Sequence, residues 1–210
     1  MATLLQLENE IRAMEGHLNS DDADLQTSIR SAINQALNRA VEEQPWWWNA
    51  TETTVTANSD GNLVMPEDTS FVLGVYDGDD QPMHPRDRKQ QMDYKDRITS
   101  RQRQKTYAHA GYDSATGFPL LKLHPSGDGD YGVYYCPAAT TLDEDADVIP
   151  GPRSLYYYLL WFARAVRLHG NEERQNLREE AMKFANEELA KMKGRNRGFL
   201  ASIRKHLSIG

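Results

Sequence analysis

One cysteine, Cys136, is all that the 210 residues contain, and a lone thiol excludes an internal disulfide and any cysteine-rich zinc site. A reducing compartment fits that usage. No run approaches the roughly 20 apolar residues needed to cross a bilayer. The opening residues, MATLLQLENEIRAMEG, carry no basic region and are amphipathic rather than apolar throughout, unlike a signal peptide. An intracellular, soluble protein is the expectation. Surplus positive charge is missing too: the net charge is −7 and the mean hydropathy −0.72. Such a chain is a poor general nucleic-acid binder, because phosphate contacts need Lys and Arg.

Catalytic signatures are equally scarce. There is no GxSxG, no Walker loop and no GxGxxG between a strand and a helix. The six histidines, His17, His84, His109, His124, His169 and His206, are scattered, with no HExxH pair and no two histidines at i, i+4. Asp77-Gly78-Asp79-Asp80 and Asp128-Gly129-Asp130 lack the alternating oxygens and the twelfth-position glutamate of a calcium loop, and read as turns. Cys136 precedes Pro137 in an apolar strand with no basic neighbour, which points to a buried, inert thiol. No carboxylate pair stands out for a wall-degrading hydrolase. The expectation is a non-enzyme with no cofactor and no metal.

The residues are spent instead on a helical hairpin, Pro150 to Lys193. Pro150 and Pro152 bar helix before them, and Pro152 suits a first turn, where its missing N–H costs nothing. Leu155 to Leu168 reads as helix with apolar residues on nearly every side, and His169-Gly170-Asn171 breaks it. Tyr156, Tyr157, Tyr158, Trp161 and Phe162 wrap that helix, so some must pack on another element or another subunit. The second helix carries a narrow stripe of Leu177, Ala181, Phe184, Ala185, Leu189 and Met192, at spacings of three and four.

Upstream, Leu4, Leu5, Leu7, Ile11 and Met14 mark a short amphipathic helix ending near Gly16. The acids of Ser20-Asp21-Asp22-Ala23-Asp24 cap the next helix, whose stripe is Leu25, Ile29, Ala32, Ile33, Ala36, Leu37, Ala40 and Val41. Pro45 ends it. Trp46-Trp47-Trp48 is either a junction core or an exposed binding patch; large aromatics at an element junction usually bury their area, which favours the core.

From Thr51 the period becomes two. TETTVTA and NLVMP, joined by Ser59-Asp60-Gly61-Asn62, read as a hairpin with an Asp-Gly turn. FVLGVYD follows, then TYAHA, then FPLLKLHP and YGVYYCP as a second hairpin. Residues 86–105 are basic, with Arg86, Arg88, Lys89, Lys95, Arg97, Arg101, Arg103 and Lys105 against three acids, and suggest an exposed helix or loop. Thr141 to Asp147 is an acidic linker. The last seventeen residues follow a glycine break at Gly194 and Gly198 and contain no acid; Phe199, Leu200, Ile203 and Leu207 give them an apolar face. That segment is a frayed terminus or a docking peptide, and its spacing favours docking.

The fold class expected is α+β. A bundle at 1–45 and 150–193 surrounds an inserted small antiparallel β domain at 46–149, and an extended C-terminal tail follows at 194–210.

The order of these motifs resembles the head-to-tail adaptor (connector) proteins of short-tailed bacteriophages, the group that includes tail tubular protein A. The resemblance rests on LVMPEDTSFVLGVY with its Met65-Pro66-Glu67-Asp68 step, on the strand start Gly117-Phe118-Pro119, on a strand ending in Tyr and Pro, and on the closing pair of helices rich in Tyr and Ala. It covers roughly residues 20 to 193.

The resemblance implies a structural virion protein of the neck, assembled in the host bacterial cytoplasm. Such adaptors form a ring, typically of twelve subunits, beneath the portal protein. They extend the DNA channel and carry the tail nozzle and tail fibre proteins. DNA passes the lumen without specific binding, and no membrane is involved. Residues 156, 157, 158, 161 and 162 would then meet a neighbouring subunit. The C-terminal segment, with Arg195, Arg197, Phe199, Leu200, Ile203, Arg204 and Leu207, would reach the portal. Arg86, Arg88, Arg97, Arg101 and Arg103 would be contacts to tail components. The alternative from another class is a small nucleic-acid-binding or regulatory protein, using residues 86–105 and the basic tail, with Tyr94 or Tyr107 stacking on bases.

Overall fold

The computed structural model describes residues 2–17, 22–87, 105–170 and 172–208, and the side chains as far as residue 203. The chain divides into two compact units. One comprises Met1–Asn49 and Ala139–Arg197; the other comprises Ala50–Ala138 and Gly198–Gly210.

The helical unit begins with α1 (Leu4–Glu15). Thr3 and Gln6 close a reciprocal capping box at its start, and Gly16 in the left-handed region ends it. In α2 (Ala23–Glu43) the side chain of Asp22 accepts from the Asp24 and Leu25 N–H groups, which satisfies two donors the helix cannot satisfy itself. The stripe from Ile29 to Val41 is buried.

Helix α3 (Arg153–Arg167) has Pro152 at its N-cap position. A 3-10 turn, Glu172–Arg174, precedes α4 (Gln175–Ser208). Leu155, Tyr158, Leu159, Leu160, Phe162, Ala163 and Ala165 are all buried, so α3 is enclosed around most of its circumference. Its residues share one core with Leu4, Leu7 and Ile11 of α1, the α2 stripe, and Ala185 and Met192 of α4.

Two sequence expectations are corrected here. Leu177, placed on the α4 stripe, is 42 % exposed, because the stripe meets the core only from Ala181 onward. The expected extended tail is helix: α4 continues through Gly194 and Gly198 to Ser208. Glycine weakens a helix without forbidding it, so two glycines alone do not end one.

The segment 139–149 is bound tightly to the helices. The Asn34 side chain both donates to the Leu142 carbonyl (3.0 Å) and accepts from the Leu142 N–H (2.8 Å). Thr3 bridges to Val148. The Arg30 guanidinium holds the Glu8 carboxylate, the Asp143 carbonyl and the Asp145 carboxylate at once. Glu8 is wholly buried, so this fork supplies the charge that its carboxylate would otherwise find in water. Gly151 adopts φ +84°, and a Cβ there would lie 2.8 Å from the Trp48 indole, so the approach to α3 needs glycine.

Among the described residues the other unit holds seven short strands, β1 (Thr51–Ala57), β2 (Asn62–Val64), β3 (Thr69–Tyr76), β4 (His84–Pro85), β5 (Thr106–Tyr112), β6 (Pro119–His124) and β7 (Gly129–Pro137). They form two sheets, ordered β1-β7-β3 and β2-β6-β5-β4. All pairings are antiparallel except β4 with β5. Ala57, Leu63, Met65, Val75, Met83, Tyr107, Leu121, Leu123 and Val133 from the two sheets share a single core, the arrangement of a small sandwich.

Neither expected hairpin is a ladder. The turn after β1 exists, with the Asn58 side chain accepting from the Asp60 and Asn62 N–H groups, yet β1 pairs with β7 and β2 with β6. FPLLKLH and YGVYYCP likewise fall in different sheets, and the true hairpin joins β5 to β6. A tight turn brings two strands close, but closing a sandwich core sends them to opposite layers.

Asp77 anchors the turn after β3. Its carboxylate accepts from the Asp79 N–H (3.0 Å), the Gln81 N–H (2.9 Å) and the Lys105 ammonium (2.5 Å). Burial pushes its pKa up, but Lys105 and the two backbone donors outweigh that and hold it below the ordinary value. A carboxylate depressed on folding contributes stability above its unfolded value, and that stability is lost as pH falls through the folded one.

The β unit should therefore weaken below about pH 4, and Asp77→Asn should flatten that acid slope. Urea titrations of β5 and β7 amide signals between pH 3 and 7 test this; an unchanged slope in the variant contradicts it. In the helical unit, Arg30→Ala should cost about 3 kcal/mol by stranding the Glu8 carboxylate. All four tryptophans (46, 47, 48 and 161) belong to that unit, so urea unfolding followed by tryptophan fluorescence reads it selectively.

Candidate functional site

The aromatic run of α3 separates into two groups. Tyr158 and Phe162 are 1 % and 8 % exposed and belong to the unit's own core, their rings 5.5 Å apart. At their positions on α3 they join the core shared with α2, and Arg39 covers the Phe162 ring at 5.3 Å. The Tyr158 hydroxyl is buried without a partner. Burial pushes its pKa up to about 12, with Arg39 opposing and Glu43 adding to the rise.

Tyr156, Tyr157 and Trp161 are half-buried. Trp161 packs on Phe184 of α4 with ring centroids 4.9 Å apart, so part of its area is already spent within the unit. Tyr156 and Tyr157 meet edge to face at 5.7 Å. Burial raises the Tyr156 phenol strongly, and its hydrogen bond to Glu10 adds to the rise. The Arg153 guanidinium donates to the Tyr157 hydroxyl at 2.6 and 3.1 Å and lies over its ring. With Ala2, Gln6, Asn9, Ile149 and Pro152 these residues line an open cleft of about 690 Å³.

Two further surfaces lie on the helical unit. Arg178, Glu179, Met182, Lys183, Asn186, Glu187 and Ala190 line a shallow groove along α4, with charged side chains around Met182 and Ala190, and Leu177 beside Arg178 in the chain is exposed. Arg39, Phe162, Val166, His169 and Met182 line a smaller one of about 260 Å³ between α2, α3 and α4. Of the three tryptophans, Trp46 is 1 % exposed and donates its indole N–H to the Ala40 carbonyl, while Trp48 stacks on it at 6.2 Å. Trp47 alone is 49 % exposed.

The C-terminal residues singled out above lie on α4. Arg195 and Arg197 are exposed, and Phe199, Leu200 and Ile203 half-buried. The side chains of Arg204 and Leu207 lie outside the described residues. So do Arg88, Arg97, Arg101 and Arg103; Arg86 is described, its backbone N–H donating to the Tyr107 carbonyl at 2.8 Å. Tyr107, offered as a base-stacking ring, is 3 % exposed in the β core, and burial pushes its pKa up to about 12. It is not free to stack. Cys136 is buried. Among the described residues no group of three or more His, Cys, Asp or Glu is placed to hold a metal ion, and no helix is long and apolar enough to cross a membrane.

Sequence reasoning missed Asn196. It is wholly buried, its side chain accepting from the Trp47 N–H (3.1 Å) and donating to the Pro45 carbonyl (2.7 Å). The signal was present: Ala185, Leu189, Met192 and Asn196 continue the α4 stripe at spacings of four, three and four.

Compared with known families, the chain matches the family model described as SU10 adaptor protein over residues 2–204. A search of curated proteins found no match.

Tyr158→Phe removes a buried hydroxyl that has no partner, so stability in urea should stay level or rise by about 1 kcal/mol. A clear loss would mean that a water or a group from another chain satisfies that hydroxyl.

Proposed function

Because the chain belongs to the SU10 adaptor protein family, a bacteriophage structural group, we propose that it works as the head-to-tail adaptor of a short-tailed phage, of the tail tubular protein A kind. It forms a closed ring, of twelve subunits, under the portal protein, extends the DNA channel, and seats the tail nozzle and fibre proteins. Assembly takes place in the bacterial cytoplasm, and the ring ends up in the neck of the virion. The observation that carries this reading is the length of the family match, which runs through the helical segments and the β insertion alike.

Surface chemistry supports the ring. A ring needs two different patches per subunit, since each copy meets one neighbour on each side. The helical unit offers the Tyr156–Tyr157 cleft and the grooves along α4. Net acidity suits a lumen that must pass DNA without holding its phosphates. The segment after Gly194, with no acidic residue, docks on the portal through Phe199, Leu200 and Ile203. Arg86 and the arginines that follow it contact tail components.

Native mass spectrometry of the chain alone and with the portal ring of its phage tests the proposal. Assembly of a closed ring on the portal is the expected result, and a monomer that ignores the portal sinks it. Tyr157→Ala and Leu177→Glu should each lower ring yield at least tenfold while leaving the unfolding midpoint unchanged. Loss of fold in step with loss of ring would return both residues to a structural role.

A further inference from the structure

Two glycines stand inside α4 without a local reason. Neither Gly194 nor Gly198 has positive φ, and a Cβ on either would meet nothing within 4 Å. Alanine would fit both sites, and glycine weakens a helix interior by about 1 kcal/mol relative to alanine. Between them sits Asn196, another weak helix former, yet one anchored at both ends of its side chain to the Pro45–Trp47 corner. The sequence Gly194-Arg195-Asn196-Arg197-Gly198 is thus a weak stretch of helix pinned at its middle.

The tethers of α4 stop at the same place. Lys191 pairs with Glu188 one turn back, and Lys193 pairs with Glu43 of α2. Met192 is buried in the helical core. Among the described residues no ion pair or side-chain hydrogen bond lies beyond Asn196, and residues 194–210 hold no acid to form an i, i+4 pair with their own arginines and lysines. Exposed Arg195 and Arg197 flank the pinned residue. The strength of α4 therefore changes in one step, from a helix held by core and ion pairs to one with no described polar tether and only the half-buried Phe199, Leu200 and Ile203 to hold it.

We infer that α4 carries a built-in break point at Gly198, and that the Asn196 side chain is the stop that keeps an opening of the C-terminal segment from running back through Gly194 to Met192. The device lets residues 198–208 exchange helix for another conformation while the rest of α4 stays in place. Glycine at 194 keeps a second, longer opening available once the Asn196 bonds are lost. This stands apart from the docking proposal, because it concerns the isolated chain.

Amide hydrogen exchange on the full chain, resolved to single residues by NMR, tests it. Protection should drop at least tenfold between Met192 and Phe199, with the step at Asn196. Gly198→Ala should slow exchange at 199–203 about fivefold and leave residues 181–192 unchanged. Asn196→Ala should move the step back to Met192, whereas Asn196→Asp, which still accepts from the Trp47 N–H but cannot donate to the Pro45 carbonyl, should fall between. Uniform protection from 185 to 203 in the unaltered chain overturns the inference. So does a step that stays in place in the Asn196→Ala chain, and tryptophan fluorescence unfolding verifies that this chain is folded when measured.

Discussion

Helix α3 has almost no face it can show to water. Buried side chains run around it from Leu155 to Ala165, and each large apolar side chain left exposed would forfeit about 2 kcal/mol. Enclosing it sets the requirements for the rest of the helical unit. α2 brings a stripe with alanine at 32, 36 and 40, small enough for close approach. α1 covers a third side, with Arg167 of α3 forked onto the Glu15 carboxylate at 2.8 to 3.1 Å. α4 contributes Ala181, Ala185 and Met192, and Phe184 against Trp161. The start of α3 is set by Gly151 under the Trp48 indole.

Polar groups inside the unit follow from that enclosure. Glu8 lies where α1 meets α2 and is tolerable only because Arg30 reaches it, and the same guanidinium ties down the acidic segment at Asp143 and Asp145. Asn34 and Asn196 perform a similar task for irregular backbone, each using both amide groups to satisfy a loop. Two side-chain amides and one shared arginine thus replace the regular pairing that loops lack.

The β unit solves a different problem with short strands, two layers and one core. Its turns are held by side-chain acceptors, Asn58 and Asp77 among them, rather than by long ladders. Nothing in either unit concentrates nucleophiles, bases or ligands among the described residues. What the helical unit does present is surface: Tyr157 braced by Arg153, a groove along α4, and an exposed Trp47. Contact with other virion proteins is what membership of the adaptor family implies.

Periodicity and punctuation alone made the α+β class legible, along with the positions of α1, α2 and α3. The α2 stripe, the Asp22 cap and the Gly16 stop are local signals, and helices respond to local signals because their hydrogen bonds close within four residues. The motif order led as far as the adaptor family. Partner choice among strands was not legible: the Asn58–Gly61 turn is local, but the pairing of β1 with β7 spans the whole insertion and depends on which layer completes the core. The aromatic run on α3 announced burial without saying by what, and only the packed unit divided Tyr158 and Phe162 from Tyr156 and Tyr157. Asn196 lay on the visible α4 stripe, yet its partners at Pro45 and Trp47 are some 150 positions away in sequence. Sequence determined where chain stiffness and apolar faces lie, because those are properties of neighbouring residues. Tertiary structure decided which faces meet and which polar groups are satisfied, the Asn196 amide within α4 among them, because those depend on residues brought together from far apart.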